Sequence, residues 1–106
     1  MKQEYIDKLN AIDRYEKLSK LYEQDFFHFV GSIALNIEII ANETVVASVV
    51  KENPALEFES MSDSALIIEE SKDRIADSLK KGIESKTQSV LADYAAQKAR
   101  QDLLNL

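Results

Sequence analysis

The feature of this sequence that most constrains its fold is a long apolar segment at residues 26–50, FFHFVGSIALNIEIIANETVVASVV. Its only ionisable side chains are His28, Glu38 and Glu43. A helix with one face in water has an apolar arc of about 100°, whereas apolar residues point in nearly every direction here. The segment therefore has to be covered on more than one side.

A membrane is one way to cover such a segment, but a spanning helix needs about 20 mostly apolar residues. The apolar run at 26–41 is only 16 residues long and contains Glu38, and an ionised group at the middle of a bilayer is costly. We therefore expect coverage by other helices and no membrane, and membrane association is kept as the less favoured alternative.

The composition points to one small helical domain over residues 1–106. The chain has two Gly and one Pro, too few for the turns of a many-stranded fold. It has no Cys, which excludes disulfides and thiolate metal sites. No apolar run follows MKQEYIDKLN directly, so we expect no secretory signal and a cytoplasmic protein.

Residues 3–24 have the pattern of an amphipathic helix. A break or bend is expected near 24–31, because one helix from 3 to 51 measures about 70 Å and Gly31 disfavours a helix interior. The apolar stripe is Tyr5, Leu9, Ile12, Tyr15, Leu18 and Tyr22, and the predicted i,i+4 pairs are Glu4/Lys8, Asp13/Lys17 and Glu16/Lys20.

The second helix is expected to end before Pro54, which cannot continue the hydrogen-bond ladder. An α+β alternative arises at the same place. Residues 44–50 are rich in β-branched side chains and residues 55–60 alternate in polarity, so a small hairpin at 44–60 is the competing interpretation.

Residues 63–104 are predicted to be helical, with capping residues in Ser60-Met-Ser62-Asp63: Ser62 followed by Asp63 suits a helix N-terminus, where the dipole favours an acid. A break at Gly82 and a continuous helix are both compatible with the pattern. The residues expected to face inward are Leu66, Ile67, Ile68, Ile75, Ala76 and Leu79, followed by Val90, Leu91, Tyr94, Ala95, Lys98 and Leu103. The predicted fold class is an all-α antiparallel helical bundle, made of four helices in one chain or of two long helical hairpins paired in a dimer.

The sequence offers little catalytic chemistry. His28 is the only histidine, and it lies among phenylalanines. The acids of Glu57-Phe58-Glu59 and of Glu69-Glu70 point in different directions on a strand or helix. The two glycines lie too far apart for a phosphate-binding loop. We expect no enzyme activity, no cofactor and no metal.

The leading functional hypothesis is protein–protein association in an accessory, adaptor or regulatory role, with a homodimer formed through the apolar segment. Its surface exceeds what the amphipathic helices of one chain can cover, and an obligate interface resembles a core cut in half. The residues expected at the contact are Phe26, Phe29, Val30, Ile33 and Ile37.

The alternative function is an acidic inhibitor or regulator that imitates nucleic acid and binds a basic protein surface. It rests on residues 51–70, where one base stands against six acids. The acids proposed to contact that surface are Glu57, Glu59, Glu69 and Glu70. Direct nucleic-acid binding through Lys72, Arg74, Lys80, Lys81 and Lys86 is less favoured, because the net charge is −6.

Overall fold

The computed structural model describes residues 2–53 and 63–106, which form two long helices. Helix α1 is Lys2–Glu52 and helix α2 is Ser64–Leu104. The all-α prediction is confirmed. The described residues form two helices and not the four helices of one predicted arrangement. The hairpin alternative at 44–60 is wrong for its first strand, because residues 44–52 belong to α1; its second strand lies outside the described residues.

Local hydrogen bonds set the inner ends of both helices. Asp63 caps α2, since its Oδ1 accepts a hydrogen bond from the Leu66 backbone N–H at 3.1 Å. Ser62, which the sequence placed before this acid as a capping residue, lies outside the described residues. At the end of α1 the Asn53 side-chain amide donates to the Val49 carbonyl at 3.2 Å, which satisfies an acceptor of the last turn.

The interruption predicted near 24–31 is absent, and of the two alternatives at Gly82 the continuous helix is the one present. α1 runs through 24–31 and α2 runs through Gly82. A glycine in a helix interior costs about 1 kcal/mol relative to Ala, which is small beside the packing of a long helix face. An added Cβ at Gly31 would meet nothing within 4 Å, so this glycine does not mark a close approach to a neighbouring helix.

The chain falls into two compact units. We call Met1–His28 with Lys81–Leu106 the terminal unit, and Phe29–Lys80 the central unit. In the terminal unit the two helix segments are antiparallel, since Lys8 contacts Asp102 whereas Ser19 contacts Ser89. In the central unit they are also antiparallel, since Ser32 contacts Ser78 and Glu43 contacts Ser64.

In each unit the inward residues recur at alternating steps of three and four, the heptad pattern of helices that pack side by side. On α2 every such position is buried or half-buried, and most are small. In the central unit they are Ser64, Ile68, Ser71, Ile75 and Ser78, and in the terminal unit Gly82, Ser85, Ser89, Ala92, Ala96, Ala99 and Leu103. Helix α1 contributes Phe29, Ile33, Asn36, Ile40 and Glu43 to the seam of the central unit.

These seams reverse part of the predicted orientation of α2. Among the described residues the buried hydrophobic side chains are Ala96 and Ala99, and the buried polar ones are Ser19, Asn36, Ser71, Ser78 and Ser89. Seven residues predicted to face inward are exposed, and most of them are large: Leu66, Ala76, Leu79, Val90, Leu91, Tyr94 and Lys98. Small residues allow the helices to pack closely, so the bulky ones are placed on the outer faces.

Candidate interaction surface

The outer side of α1 in the central unit is a continuous apolar surface. Its large exposed residues are Val30, Leu35, Ile37, Val45, Val46 and Val49, with the exposed Ala34 and Ala41 between them. Single exposed apolar side chains are ordinary on proteins, but a contiguous set of this size marks a place where something else binds. We call these eight residues the α1 surface.

Burial within the chain does not account for this apolar character. By length and composition α1 qualifies as a helix able to cross a membrane, yet only 6% of its most apolar 18-residue window is buried. A core helix of a soluble protein passes the same test but is mostly buried. Within the described residues, the apolar segment therefore lacks the cover that its composition demands.

Beneath the α1 surface, polar side chains hold the central unit together. Asn36 is 3% exposed and donates from Nδ2 to the Ser32 carbonyl at 2.8 Å. Its Oδ1 accepts from Nε of Arg74 on α2 at 2.8 Å. Arg74 also donates from Nη2 to the Ser71 hydroxyl at 3.0 Å. The donor and the acceptor of the Asn36 side-chain amide thus both have partners, and the hydrogen bond to Arg74 fixes how α2 lies against α1.

A second polar contact lies seven residues after Asn36 on α1 and seven residues before Ser71 on α2. The Ser64 hydroxyl donates to the Glu43 carboxylate at 2.9 Å, which engages one of the two acids of the apolar segment. Thr44 donates from Oγ1 to the Ile40 carbonyl at 2.7 Å, so its hydroxyl is satisfied within its own helix. The other acid, Glu38, is exposed on the outer side of α1, about 200° around the helix from the buried Asn36. The exposed polar residues Glu38, Asn42 and Ser48 lie among the eight residues of the α1 surface.

The residues predicted at the contact divide between the two sides of the helix. Val30 and Ile37 are exposed on the α1 surface, while Phe29 and Ile33 are half-buried against α2. Phe26 belongs to the terminal unit, where Lys86 Nζ lies 5.3 Å from its ring centroid. Sequence reasoning missed Leu35, Val45, Val46 and Val49 as contact residues. The heptad phase through Phe29, Ile33 and Asn36 was the signal that separates the inward from the outward residues.

The predicted acidic surface is described only in part, because Glu57 and Glu59 lie outside the described residues. Glu69 makes an ion pair with Lys72 at 3.1 Å on the same helix, and Glu70 is exposed. Asp63, a further acid of this stretch, is engaged in capping α2. Two of the described acids, Glu69 and Asp63, thus already make contacts within α2.

The proposed basic patch is also partly occupied by internal contacts. Arg74 is bonded to Asn36, Lys72 to Glu69, and Lys86 lies over the Phe26 ring. A polar groove of about 350 Å³ in the central unit is lined by Ser32, Asp73, Arg74, Asp77 and Ser78. Its two acids and one base give it no strong preference for either sign of charge.

Within residues 2–53 and 63–106, no three His, Asp or Glu side chains are grouped closely enough to hold a metal ion. Comparison with protein-family models, with curated proteins and with solved structures finds no match to this chain. The candidate site is therefore defined by its own geometry alone, as an apolar helical surface above a polar seam.

Proposed function

We propose that this chain is a non-enzymatic helical protein that works by association, with itself and with a protein partner, through the α1 surface. The observation that carries the proposal is the small buried fraction of the apolar window of α1, 6%. Burying apolar surface contributes about 25 cal/mol per Å², so a surface of this kind favours contact with another apolar surface over contact with water.

A protein partner fits the α1 surface better than a bilayer does. In the central unit α1 is paired with a stretch of α2 that carries seven ionisable side chains between residues 69 and 80. Inserting the α1 surface into a membrane would bring these charges toward the hydrocarbon or would separate the two helices. Both are costly, whereas a second helical protein covers the α1 surface and leaves the charges of α2 in water.

Catalysis is left out of the proposal because the residues for it are scarce. The chain has one histidine and no cysteine, and its buried polar side chains Ser19, Asn36, Ser71, Ser78 and Ser89 belong to the helix seams. Their hydrogen bonds are used to join α1 to α2 or to stabilise one helix. Association is the activity for which the exposed residues are suited.

The test is a double substitution on the α1 surface, Val30→Glu with Ile37→Glu. Two charges would have to lose water for the contact to form, and unpaired buried charges are costly. We expect self-association, followed by sedimentation velocity at micromolar concentration, to weaken at least 100-fold. Circular dichroism checks that the helices remain.

The matched control is Leu21→Glu, on the same helix but in the terminal unit. Leu21 is 57% exposed and Ile37 is 55% exposed. Glu at position 21 should therefore lower the stability of the isolated chain about as much as Glu at position 37 does. The control should self-associate as the unmodified chain does. A chain that stays monomeric at all concentrations, or a double variant that still associates, contradicts the proposed function.

A further inference from the structure

We infer that a second copy of this chain covers the α1 surface, with the two α1 helices antiparallel and Val30 of each copy against Ala41 of the other. This inference rests on the proposed function and adds to it the identity of the occupant and the direction of its helix. It is argued from the exposed area of the chain and from the order of large and small side chains along α1.

The exposed surface area of the chain is larger than that of a compact monomer of its mass, as expected for one partner of an extensive interface. The chain exposes 8047 Å², whereas the usual scaling for a compact monomer of 12.0 kDa gives about 6,000 Å². The excess is about 2,000 Å² per chain. Obligate homodimers bury about 2,000–5,000 Å² in total, so the excess of two copies is of the size that one such interface removes.

One line of residues on the α1 surface has the spacing of a second heptad seam. Val30, Ala34, Ile37 and Ala41 follow one another at steps of four, three and four, and all four are exposed. The same spacing joins α1 to α2 within the central unit, where it is typical of helices that pack nearly side by side. The outer line therefore suits another long helix lying along α1.

The order of sizes along this line selects the antiparallel direction. Large and small side chains alternate as Val, Ala, Ile and Ala. When two copies run in opposite directions, Val30 faces Ala41 and Ala34 faces Ile37, so that every large side chain meets a small one. When they run in parallel and in register, Ala faces Ala and Ile faces Ile, which leaves gaps beside crowded layers. Cores pack best when large and small residues alternate across the contact.

Glu38 is compatible with this arrangement because it lies beside the line and not on it. It follows Ile37 by one residue, about 100° around the helix, and is exposed. Its carboxylate can stay in water at the edge of the contact. The interface centre, between Ala34 and Ile37, contains only apolar side chains.

The absence of cysteine from the chain makes disulfide mapping direct. Chains carrying V30C are mixed with chains carrying A41C and oxidised, and the disulfide-linked products are assigned by mass. We expect linked pairs of one V30C chain with one A41C chain. Positions 30 and 41 lie about 16 Å apart along one helix, and the Cβ atoms of a disulfide are about 3.5–4.5 Å apart. A parallel, in-register dimer cannot form this link.

Two further samples make the result decisive. V30C alone should form few linked pairs, because position 30 lies about 16 Å along the helix from its own copy in the antiparallel contact. A mixture of V30C with N42C is the matched control, since Asn42 is exposed next to Ala41 but points about 100° away. We expect its yield to be at least fivefold lower than that of V30C with A41C.

The outcomes separate this inference from the proposed function. Efficient self-linking of V30C would show a parallel contact and overturn the inference. A dimer that Val30→Glu with Ile37→Glu dissociates, but that gives no link between V30C and A41C, would also overturn it while the proposed function stands. A chain that is monomeric by light scattering at every concentration would contradict both.

Discussion

The terminal and central units use the same helix pairing but divide polar and apolar residues differently. In the terminal unit charged side chains join the helices at their rims, as Lys8 does with Asp102 at 3.4 Å and Arg100 does with Glu16. Lys17, Lys20 and Glu23 are exposed on α1 there, and so are Leu18, Leu21 and Phe27. The outer side of α1 in this unit therefore mixes charged and apolar side chains.

In the central unit the seam contains buried polar side chains and the outer side of α1 is almost without charge. Asn36, Ser71 and Ser78 are buried, while Leu35, Ile37 and Val45 are exposed on α1. Glu38 is the one exposed ionisable residue of α1 between 29 and 50. The same helix pairing therefore carries a mixed outer side on α1 in one unit and a mainly apolar one in the other, and the proposed function assigns a partner to the second.

The largest effect on this comparison is expected from Ser71→Leu, which places a bulky side chain in the central seam. Ser71 is 0% exposed, so the added volume has no space, and overpacking costs about 1–3 kcal/mol. The free energy of unfolding from urea denaturation at fixed protein concentration measures it. Gln88→Leu, at an exposed position of α2, should change stability by less than about 0.5 kcal/mol. Equal effects at both positions would contradict a tightly packed central seam.

A loss of similar or smaller size is expected from Asn36→Ala, which removes the amide that links α1 to Arg74. Truncating one partner leaves the Arg74 Nε–H without its acceptor, and such a loss costs about 1–3 kcal/mol. Thermal unfolding at fixed protein concentration measures the change. Asn42→Ala is the matched control, because Asn42 is exposed on the same helix. If both variants unfold alike, the polar seam does not hold the central unit together.

Gly31→Ala should change stability by a smaller amount and in the opposite direction. Gly31 is helical and its added Cβ would meet nothing within 4 Å, so the methyl group removes unfolded-state freedom without a clash. We expect the free energy of unfolding to rise by up to about 1 kcal/mol. Denaturant unfolding checks this value. A decrease would mean that a neighbour, such as a second copy, lies closer to Gly31 than a methyl group allows.

The smallest effect is expected at the rim of the terminal unit, from Glu16→Gln. The ion pair with Arg100 is partly exposed, and such pairs contribute about 0.2–1 kcal/mol. The loss should shrink as salt is added, because exposed charges are screened. Denaturation at 0.05 M and 0.5 M salt measures this dependence. Asp13→Asn, which removes the local pair with Lys17 at 2.9 Å, is the comparison within one helix, and a larger loss there would contradict the cross-helix role of Glu16.

Local pairing rules predicted the surface of α1 only in part. Asp13 and Lys17 form the expected i,i+4 pair. Lys8 and Glu16, expected to pair with Glu4 and Lys20, instead contact Asp102 and Arg100 of α2. The i,i+4 rule describes an isolated helix, and a neighbouring helix offers partners that such a rule cannot include.

The candidate site was predicted at the level of the segment and less well at the level of the residue. The apolar excess of residues 26–50 indicated the part of α1 whose outer side exposes apolar side chains with few charges. It did not separate Ile33, which packs toward α2, from Ile37, which is exposed. Hydrophobicity alone does not predict which of several apolar faces of α1 packs against the small inward residues of α2.

The sequence by itself determined that the described chain is helical, that α2 begins near Asp63 and that an apolar segment needs cover. These properties follow from local propensity, capping and the amount of apolar surface, which are properties of neighbouring residues. The tertiary structure decided that α1 and α2 continue through Gly31 and Gly82, and that serines and alanines face inward. Those choices depend on how closely two helices approach, a distance that no single stretch of sequence specifies.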